Sequence, residues 1–298
     1  MGKMRIRKAL FGPFVSRIAN RKKEFKHQLV FGAIFKNEAR YLDDWLTFHA
    51  GVGVEHFYLY NNKSTDDYLT VLDPWIRKGM VTLTDWPYHA AQIAAYADCI
   101  ARHKNDTRWM ALIDIDEFVF SPQARHLPDV LKRYDKVPGV FAYWVLFGSS
   151  GHEKRPEASQ IDAYTMRMDL HTAQTEVHPK GVTGKARQGK TIFNPRLVMS
   201  VDHCCPLMWS GNVVDEKFAA PPRLADSVTV SWDVLRINHY WSRSLEDIHD
   251  KVARGQAKNG RSRDLERFLQ RESQLNKEQD LTILPLWHEI RDEARRAS

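Results

Sequence analysis

"ALIDIDEFVF" (residues 111–120) joins a buried strand to three carboxylates. Four of the first six residues are apolar, as in a strand covered on both faces of a parallel sheet. Asp114, Asp116 and Glu117 follow at once. Because alternate residues of a strand share a face, Asp114 and Asp116 are predicted to point the same way. Two carboxylates on one face repel, so either one of them takes up a proton or a cation lies between them.

The residues before this stretch alternate between strand and helix patterns. Strands are predicted at 29–35, 54–61, 80–86 and 108–116, and helices at 38–50, at about 66–79 and at 91–103. Ser64 and Asp67 are predicted to form a capping box at the start of the second helix. This alternation predicts an α/β fold with a doubly wound, mostly parallel sheet flanked by helices.

Polar side chains follow each of these strands. Ligands of doubly wound sheets bind beyond the carboxyl ends of the strands, so we expect these side chains to line one site. They are Lys36, Asn37, Glu38, Asn61, Asp85, Asp114 and Asp116. Mg²⁺ and Mn²⁺ prefer carboxylate oxygens and can bridge to substrate phosphates. The alternative for the acidic pair is a helix cap with surface acids.

The second half of the chain has a different pattern. An aromatic strand at 140–152 runs into a Gly/Ser loop, and residues 153–227 are loop-rich, with short strands near 192–199 and 228–237. Helices dominate from Ser244 onward. No clear linker divides the chain, so residues 29–298 are interpreted as one domain with parts at about 29–120, 121–243 and 244–298.

The basic charge is concentrated at the N-terminus. Residues 1–28 hold nine of the 44 Lys and Arg residues and one of the 37 acids, which leaves the rest of the 298-residue chain close to neutral. A near-neutral body argues against nucleic acid as a partner. In the tail, apolar residues recur every four positions, at Ile6, Leu10, Phe14 and Ile18. A basic segment with an apolar stripe suits an anionic membrane surface, and a solvated, frayed terminus is the alternative.

Other sequence features bear on location and chemistry. No transmembrane helix or signal peptide is predicted. The odd set of cysteines, Cys99, Cys204 and Cys205, predicts a reducing, cytoplasmic compartment. Gly-rich phosphate loops are missing after the first strand, which disfavours a dinucleotide oxidoreductase and a P-loop nucleotidase. A metal-bridged diphosphate bound without such a loop indicates a nucleotide-sugar enzyme.

Two long blocks and three short ones resemble the glycosyltransferases of family 92 and their bacterial relatives in the broader family 2-like group. The long blocks are "AIFKNEARYLDDWLTFHAGVGVEHFYLYNNKSTDD" and "QIAAYADCIARHKNDTRWMALIDIDEFVF". The short ones are "WVLFGSSGH", "GKTIFNPRLV" followed by His203, and "INHYWSRSLEDIHDKVARG". The resemblance covers about residues 30–255. It implies a GT-A fold with a nucleotide-sugar half and an acceptor half, a divalent cation, and inversion at the anomeric carbon.

The same resemblance suggests roles for individual residues. Asp116 is the first expected metal ligand, and Asp114 either faces the ribose or supports the metal. His239 is the expected third ligand, with a purely structural histidine as the alternative. The residues expected to bind the nucleotide are Lys36, Asn37, Glu38, Asn61, Asp85, Gln92 and Asp114. In the basic run that includes Lys180, Lys185 and Arg187, the family-like positions Lys190 and Arg196 are expected to assist departure of the diphosphate.

An inverting transferase also needs a general base for the acceptor hydroxyl. His152 and Glu153, after the Gly/Ser loop, are favoured over Asp215 and Glu216. Trp144, Trp209 and Trp241 could each stack on a sugar, although core packing is the default interpretation.

The sequence therefore predicts a metal-dependent hexosyltransferase with a nucleotide-sugar donor, most simply a UDP-sugar. Its acceptor would be a glycan or a lipid-linked sugar at the inner membrane face. One alternative is a nucleotidyltransferase or sugar-phosphate enzyme on a similar sheet. Another is a non-catalytic protein that binds carbohydrate or membrane.

Overall fold

The structure, a computed structural model, describes residues 7, 11–15, 24–89, 91–170, 189–202, 204–220, 230–255 and 262–297. Its strands are β1 (His27–Phe35), β2 (His56–Asn61), β3 (Val81–Asp85), β4 (Thr107–Leu112), β5 (Glu117–Phe120), β6 (Gly139–Leu146), β7 (Met166–Arg167), β8 (Gly189–Phe193), β9 (Val198–Ser200), β10 (Leu207–Met208), β11 (Val214–Asp215), β12 (Arg236–His239) and β13 (Glu278–Gln279). Its α-helices are α1 (Ala39–Gly51), α2 (Tyr68–Arg77), α3 (Gln92–His103), α4 (Leu127–Leu131), α5 (Gln160–Ala163), α6 (Leu245–Arg254), α7 (Leu265–Glu272) and α8 (Leu284–Ala297).

The main sheet has the strand order β3-β2-β1-β4-β8-β6-β12-β5, with β11 paired to β6. The first four strands in this order run parallel to one another. Strand β8 is antiparallel to both β4 and β6, and β12 is parallel to β6 but antiparallel to β5. The prediction of an α/β fold with a doubly wound, mostly parallel sheet flanked by helices is confirmed.

Helix α1 shows why the sequence folds this way. Its apolar residues recur on one face, and Leu42, Trp45, Leu46 and Phe48 are fully buried in the main core. At its end, Gly51 lies against Ile290 of α8, where an added Cβ would come within 2.4 Å of the isoleucine side chain. This close approach packs the C-terminal helix α8 onto α1.

Strand β4 is shorter than the sequence pattern suggested. It ends at Leu112, so the acids predicted at the end of a strand lie in a turn that leads into β5. We call residues 113–117 the acidic turn. The turn allows neighbouring acids to face different partners, and the period-two argument for Asp114 and Asp116 does not apply to it.

Other boundaries also differ. Helix α2 begins at Tyr68 after Asp67, and neither Ser64 nor Asp67 supplies a side-chain cap. Instead, the Ser64 hydroxyl accepts a hydrogen bond of 3.0 Å from the Asn37 backbone N–H, so a contact between two turns replaces the predicted capping box. The aromatic strand β6 stops at Leu146, just before the predicted Gly/Ser loop.

Among the described residues, no helix is both long and apolar enough to cross a membrane.

Candidate functional site

The acidic turn is held from below by helix α1. The indole Nε1–H of Trp45 donates to the carbonyl oxygens of Asp114 and Glu117, at 3.2 and 3.0 Å. Within the turn, the Asp114 N–H donates to Glu117 Oε2 at 2.9 Å. Since Trp45 is fully buried, the backbone of the turn is fixed by the core.

Asp114 gathers three of the turn's polar neighbours. Its Oδ2 lies 3.1 Å from Lys190 Nζ, and its Oδ1 accepts from Gln92 Nε2 and the Tyr96 hydroxyl, each at 3.1 Å. Lys190 comes from β8 and Gln92 from the first turn of α3. The structure thus brings Gln92, Lys190 and Asp114, three of the residues predicted to bind the nucleotide-sugar, into one group.

Glu117 lies beneath this group with no exposed surface. Burial raises the pKa of Glu117 well above its usual range, although Lys190 Nζ, 3.5 Å away, acts in the opposite direction. Burial also disfavours a charge on Lys190, yet the Asp114 and Glu117 carboxyls outweigh it and raise the pKa of the lysine. Lys190 is therefore a fixed cation beneath the acidic turn.

Asp116 faces a second lysine and a histidine. Its Oδ2 accepts from Lys251 Nζ at 2.7 Å, and its Oδ1 lies 3.5 Å from His239 Nε2. Burial opposes ionisation of Asp116, but the Lys251 ammonium outweighs it and holds the pKa of the carboxyl well below its usual range. Burial lowers the pKa of His239. At neutral pH an ionised carboxylate thus faces a neutral imidazole.

This arrangement tests the predicted metal ligands. Within the described ranges, no three His, Cys, Asp or Glu side chains are grouped to hold a metal ion. The Asp114 carboxylate is engaged by Lys190. Asp116 Oδ1 and His239 Nε2 do converge, and a deprotonated oxygen beside a neutral nitrogen is a suitable donor pair. Mg²⁺-type sites commonly use one or two protein ligands and complete the shell with substrate phosphates and water. Asp116 and His239 therefore fit such a cation, provided that a substrate supplies oxygens.

Glu38, at the first strand-to-helix turn, links distant parts of the chain. Its Oε2 accepts from Arg243 at 2.6 Å and its Oε1 from Arg254 at 2.9 Å. Arg254 also donates to the Lys36 carbonyl, and the Arg243 guanidinium covers the Tyr41 ring at 3.6 Å. The Glu38 carboxylate is thus occupied by two arginines, and its contacts are those of a structural clamp.

The other predicted nucleotide residues follow β1, β2 and β3. Asn37 adopts a positive φ of 54°, and its Oδ1 accepts from the Thr65 N–H at 2.8 Å. Asn61 is buried, and its Nδ2 donates to Asp85 Oδ1 at 3.0 Å. Asp85 itself is exposed at the carboxyl edge of the sheet. Asn61 therefore orients Asp85, and Asp85 is the member of the pair that a base could reach.

Arg196 is not brought to this edge. Its guanidinium lies 4.6 Å from the Phe25 ring, just before β1, and Arg108 near the start of β4 acts on it electrostatically. Because β8 runs antiparallel to β4, the chain carries Lys190 at the carboxyl edge and Arg196 at the amino edge. Lys180, Lys185 and Arg187 lie outside the described residues.

The favoured general-base pair lies at the start of α6. The carbonyl oxygens of His152 and Glu153 accept hydrogen bonds from the first two amides of this helix, at 3.1 and 2.9 Å. His152 Nε2 lies 3.2 Å from the Ala163 carbonyl, and Glu153 is exposed. Lys251 follows five residues after the second amide, about 8 Å along the helix axis. The pair is thus bonded through its backbone to the start of the helix whose Lys251 contacts Asp116.

The competing base pair is structural. Both Glu216 carboxylate oxygens accept from backbone amides of residues 233–235, at 2.7 to 3.0 Å. Asp215 Oδ1 accepts the amides of Lys217 and Ala219, each at 2.9 Å. Two carboxylates with these bonds brace a loop.

Trp241 does not offer a free ring face to a sugar. Phe268 stacks on it at 4.6 Å with an interplanar angle of 18°, and the Arg271 guanidinium lies 5.3 Å from its centroid. Trp144 is packed in the core, with its ring 4.6 Å from that of His239. Core packing is thus the interpretation that fits both rings.

Sequence reasoning missed Lys251 and Arg243. Both follow the last predicted strand, more than 100 residues beyond the acidic turn. A usable signal exists in α6, where Ile248 and Lys251 occupy one buried face three residues apart. A lysine on a buried helix face requires an acidic partner, although the sequence does not say which one.

The fold and the site together define an α/β chain with a mostly parallel sheet, whose acidic turn is paired with basic side chains at the carboxyl edge of that sheet. More particularly, the chain belongs to glycosyltransferase family 92, whose family model matches residues 32–280. The family predicted from the sequence is therefore confirmed.

Several relatives resemble parts of the chain. It is 32% identical over 181 residues to glycosyltransferase family 92 protein Os08g0121900 of Oryza sativa subsp. japonica, a match covering 59% of this chain and 29% of the relative. It is 30% identical over 98 residues to galactan beta-1,4-galactosyltransferase GALS2 of Arabidopsis thaliana, covering 30% of this chain and 19% of the relative. The chain thus matches less than a third of the length of these relatives. Among solved structures, S. aureus TarS 1–349 in complex with UDP-GlcNAc aligns with a TM-score of 0.36 and 12% identity, covering 57% of this chain and 46% of that one.

Proposed function

We propose that the protein is a glycosyltransferase that moves a hexose from a nucleotide-sugar donor to a glycan or lipid-linked acceptor, with the assistance of a divalent cation and with inversion at the anomeric carbon. The observation that carries this proposal is the ionised Asp116 carboxylate, whose Oδ1 lies 3.5 Å from the neutral His239 imidazole at the ligand-binding edge of a family 92 fold. An ionised oxygen and a neutral nitrogen, both largely buried, suit a hard cation shared with a diphosphate.

Each side chain then has a defined task. Asp116 and His239 would hold Mn²⁺ or Mg²⁺, which when bound would neutralise the charge of the departing diphosphate. Lys190 holds the Asp114 carboxylate of the acidic turn in place from below, through its 3.1 Å contact. His152 or Glu153 takes the proton from the acceptor hydroxyl as that oxygen attacks the anomeric carbon. Attack from the side opposite the leaving diphosphate inverts the configuration.

The donor we propose is a UDP-sugar, read at its base by Asp85. Support comes from the position of Asp85, which is exposed at the end of β3 and oriented by Asn61. The relative GALS2 and two further Arabidopsis thaliana relatives, GALS1 and GALS3, are each named a galactan beta-1,4-galactosyltransferase. UDP-galactose is therefore the first donor to test.

Calorimetric titration with UDP, in the presence and absence of Mn²⁺, tests the donor site. We expect Mn²⁺ to tighten UDP binding in the wild type and Asp116→Asn to weaken the Mn²⁺-dependent part by about tenfold or more, because a bound cation would lose its charged ligand. Asp292→Asn, an exposed carboxylate on α8, is the matched control and should bind as the wild type does. The proposal fails if neither UDP nor GDP binds under any metal condition.

Transfer is tested separately with UDP-galactose and other UDP-sugars on glycan and lipid-linked acceptors. Wild-type turnover that disappears in Asp116→Asn is the expected result. Binding without turnover on any acceptor would instead favour a non-catalytic carbohydrate-binding protein. A nucleotide released without sugar transfer would favour a sugar-phosphate enzyme.

We further propose that the protein works in the cytoplasm, at the inner membrane face. Cys99, Cys204 and Cys205 form no disulfide with one another, in keeping with a reducing compartment. Most of the basic tail, including Ile6, Leu10 and Ile18, lies outside the described residues. Within 11–15, Phe11 and Phe14 are 53% and 65% exposed. Co-sedimentation with phosphatidylserine vesicles but not with neutral ones would support tail binding, and equal recovery with both would refute it.

A further inference from the structure

Lys251 occupies one oxygen of the Asp116 carboxylate and is itself held firmly. Its Nζ donates to Asp116 Oδ2 and to the Trp241 carbonyl oxygen, each at 2.7 Å. The lysine side chain is only 8% exposed, so water does not replace these contacts easily. The other oxygen of Asp116 is thereby left to face His239 Nε2.

The second aspartate of the turn is occupied as well. Asp114 Oδ2 has Lys190 at 3.1 Å, and its Oδ1 accepts from Gln92 and Tyr96. Arg263, whose Nε donates to the Gly255 carbonyl at 3.0 Å, lies close enough for both aspartates to act on its guanidinium. Each aspartate of the turn therefore has its own ammonium, and a third cation lies nearby.

These charges disfavour a bare divalent ion. A dication at Asp116 Oδ1 would meet the Lys251 ammonium across the same carboxylate, in a setting where burial keeps the repulsion strong. Only one oxygen and one nitrogen of the protein would bind it. A diphosphate adds negative charge that offsets the Lys251 ammonium. It also adds the oxygen ligands that the protein does not supply.

We infer that Lys251 is a positioning residue that restricts Asp116 to one-oxygen ligation, so that the protein holds a divalent cation only together with a nucleoside diphosphate. The inference rests on the proposed donor site and specifies how that site is loaded. The cation arrives with the nucleotide or after it, and the nucleotide-free protein leaves Mn²⁺ in solution.

The free Mn²⁺ signal in electron paramagnetic resonance measures this directly, without reference to activity. Wild-type protein is expected to leave the signal unchanged without UDP and to reduce it when UDP is added, beyond the reduction by UDP alone. Lys251→Met is expected to bind Mn²⁺ without UDP about tenfold or more tightly than the wild type, because the opposing charge is gone. Lys251→Arg should restore wild-type behaviour. Lys104→Met, an exposed lysine near the amino end of β4, is the charge-matched control.

Each other outcome is decisive. Wild-type protein that binds Mn²⁺ equally well with and without UDP would overturn the inference and leave the donor site intact. A folded Lys251→Met protein with no gain in Mn²⁺ binding would also overturn it. If Lys251→Met does not fold, the wild-type comparison alone decides. Failure of UDP to bind in calorimetry, with or without Mn²⁺, is a separate result that rejects the proposed function.

Discussion

Replacing Lys190 by methionine should destabilise the protein through Glu117 more than through Asp114. Both carboxyls contact the Lys190 ammonium, at 3.5 and 3.1 Å, but the Glu117 side chain has no exposed surface, whereas that of Asp114 is 34% exposed and keeps Gln92 and Tyr96. Breaking a buried pair by removing one partner costs about 3–5 kcal/mol. We expect a loss in this range for Lys190→Met at pH 7.5, measured by urea unfolding.

The double variant Lys190→Met/Glu117→Gln separates the charge from the packing. Glutamine can still accept the Asp114 N–H, and no charge then remains in the fully buried position. The loss should fall to about 1–2 kcal/mol, because an apolar or neutral replacement of both partners is often close to neutral. An equal loss in the single and double variants would refute the argument.

The pH dependence of the Lys190→Met variant provides a second check on the same reasoning. Burial raises the pKa of Glu117 in the folded protein, so protonation of Glu117 favours folding. The resulting stability is fully present below the ordinary pKa of a glutamate and is lost as the pH rises. Lys190 limits this loss because it lowers the pKa of Glu117. Without Lys190, the free energy of unfolding should fall further as the pH rises. The deficit of Lys190→Met relative to wild type should therefore shrink as the pH is lowered from 7.5 to 5.

Three further predictions concern the support of the site. Trp45→Phe removes the donor to two carbonyls of the acidic turn and should cost about 2–3 kcal/mol in urea unfolding, with weaker UDP binding in calorimetry. Burial lowers the pKa of His49 to about 3, so the stability that its neutral ring contributes is present above pH 6.5 and is lost as the pH falls towards 3. In urea unfolding at a series of pH values, His49→Gln should therefore make the free energy of unfolding less dependent on pH between 6.5 and 3. Arg243→Met leaves the largely buried Glu38 with one arginine and should cost about 3 kcal/mol, whereas an unchanged melting temperature would remove Arg243 from the clamp.

The local pattern of the sequence predicted most of the strands and helices between residues 29 and 120. Strands β1 to β4 and helices α1 to α3 follow from periodicities of two and 3.6 over short windows, and their parallel order follows from alternation. The edge of the sheet at which polar residues collect followed from the same reasoning. It placed Asp114 at this edge, whereas Lys190, which contacts Asp114, was expected from the family resemblance alone.

What the sequence could not supply was long-range pairing. Strand β5 has only four residues and lies beside β12, more than 100 residues later, so no window contains both. Lys251 reaches Asp116 from α6 in the same way. Even a local signal failed where a distant group competed, since the Ser64 hydroxyl accepts from Asn37 rather than capping α2.

Because β5 pairs with β12, this part of the sheet cannot form until the ribosome has synthesised both strands. A ribosome adds about 5–20 residues per second, so the 137 residues from the end of the acidic turn to the end of α6 take about 7–27 s to emerge. During that interval Asp116 has no Lys251, Glu38 has neither arginine, and the edge of β5 is unpaired. The nascent nucleotide-sugar half therefore passes through a stage with open strand edges and unneutralised acids, the stage at which chaperone capture is most useful to this protein.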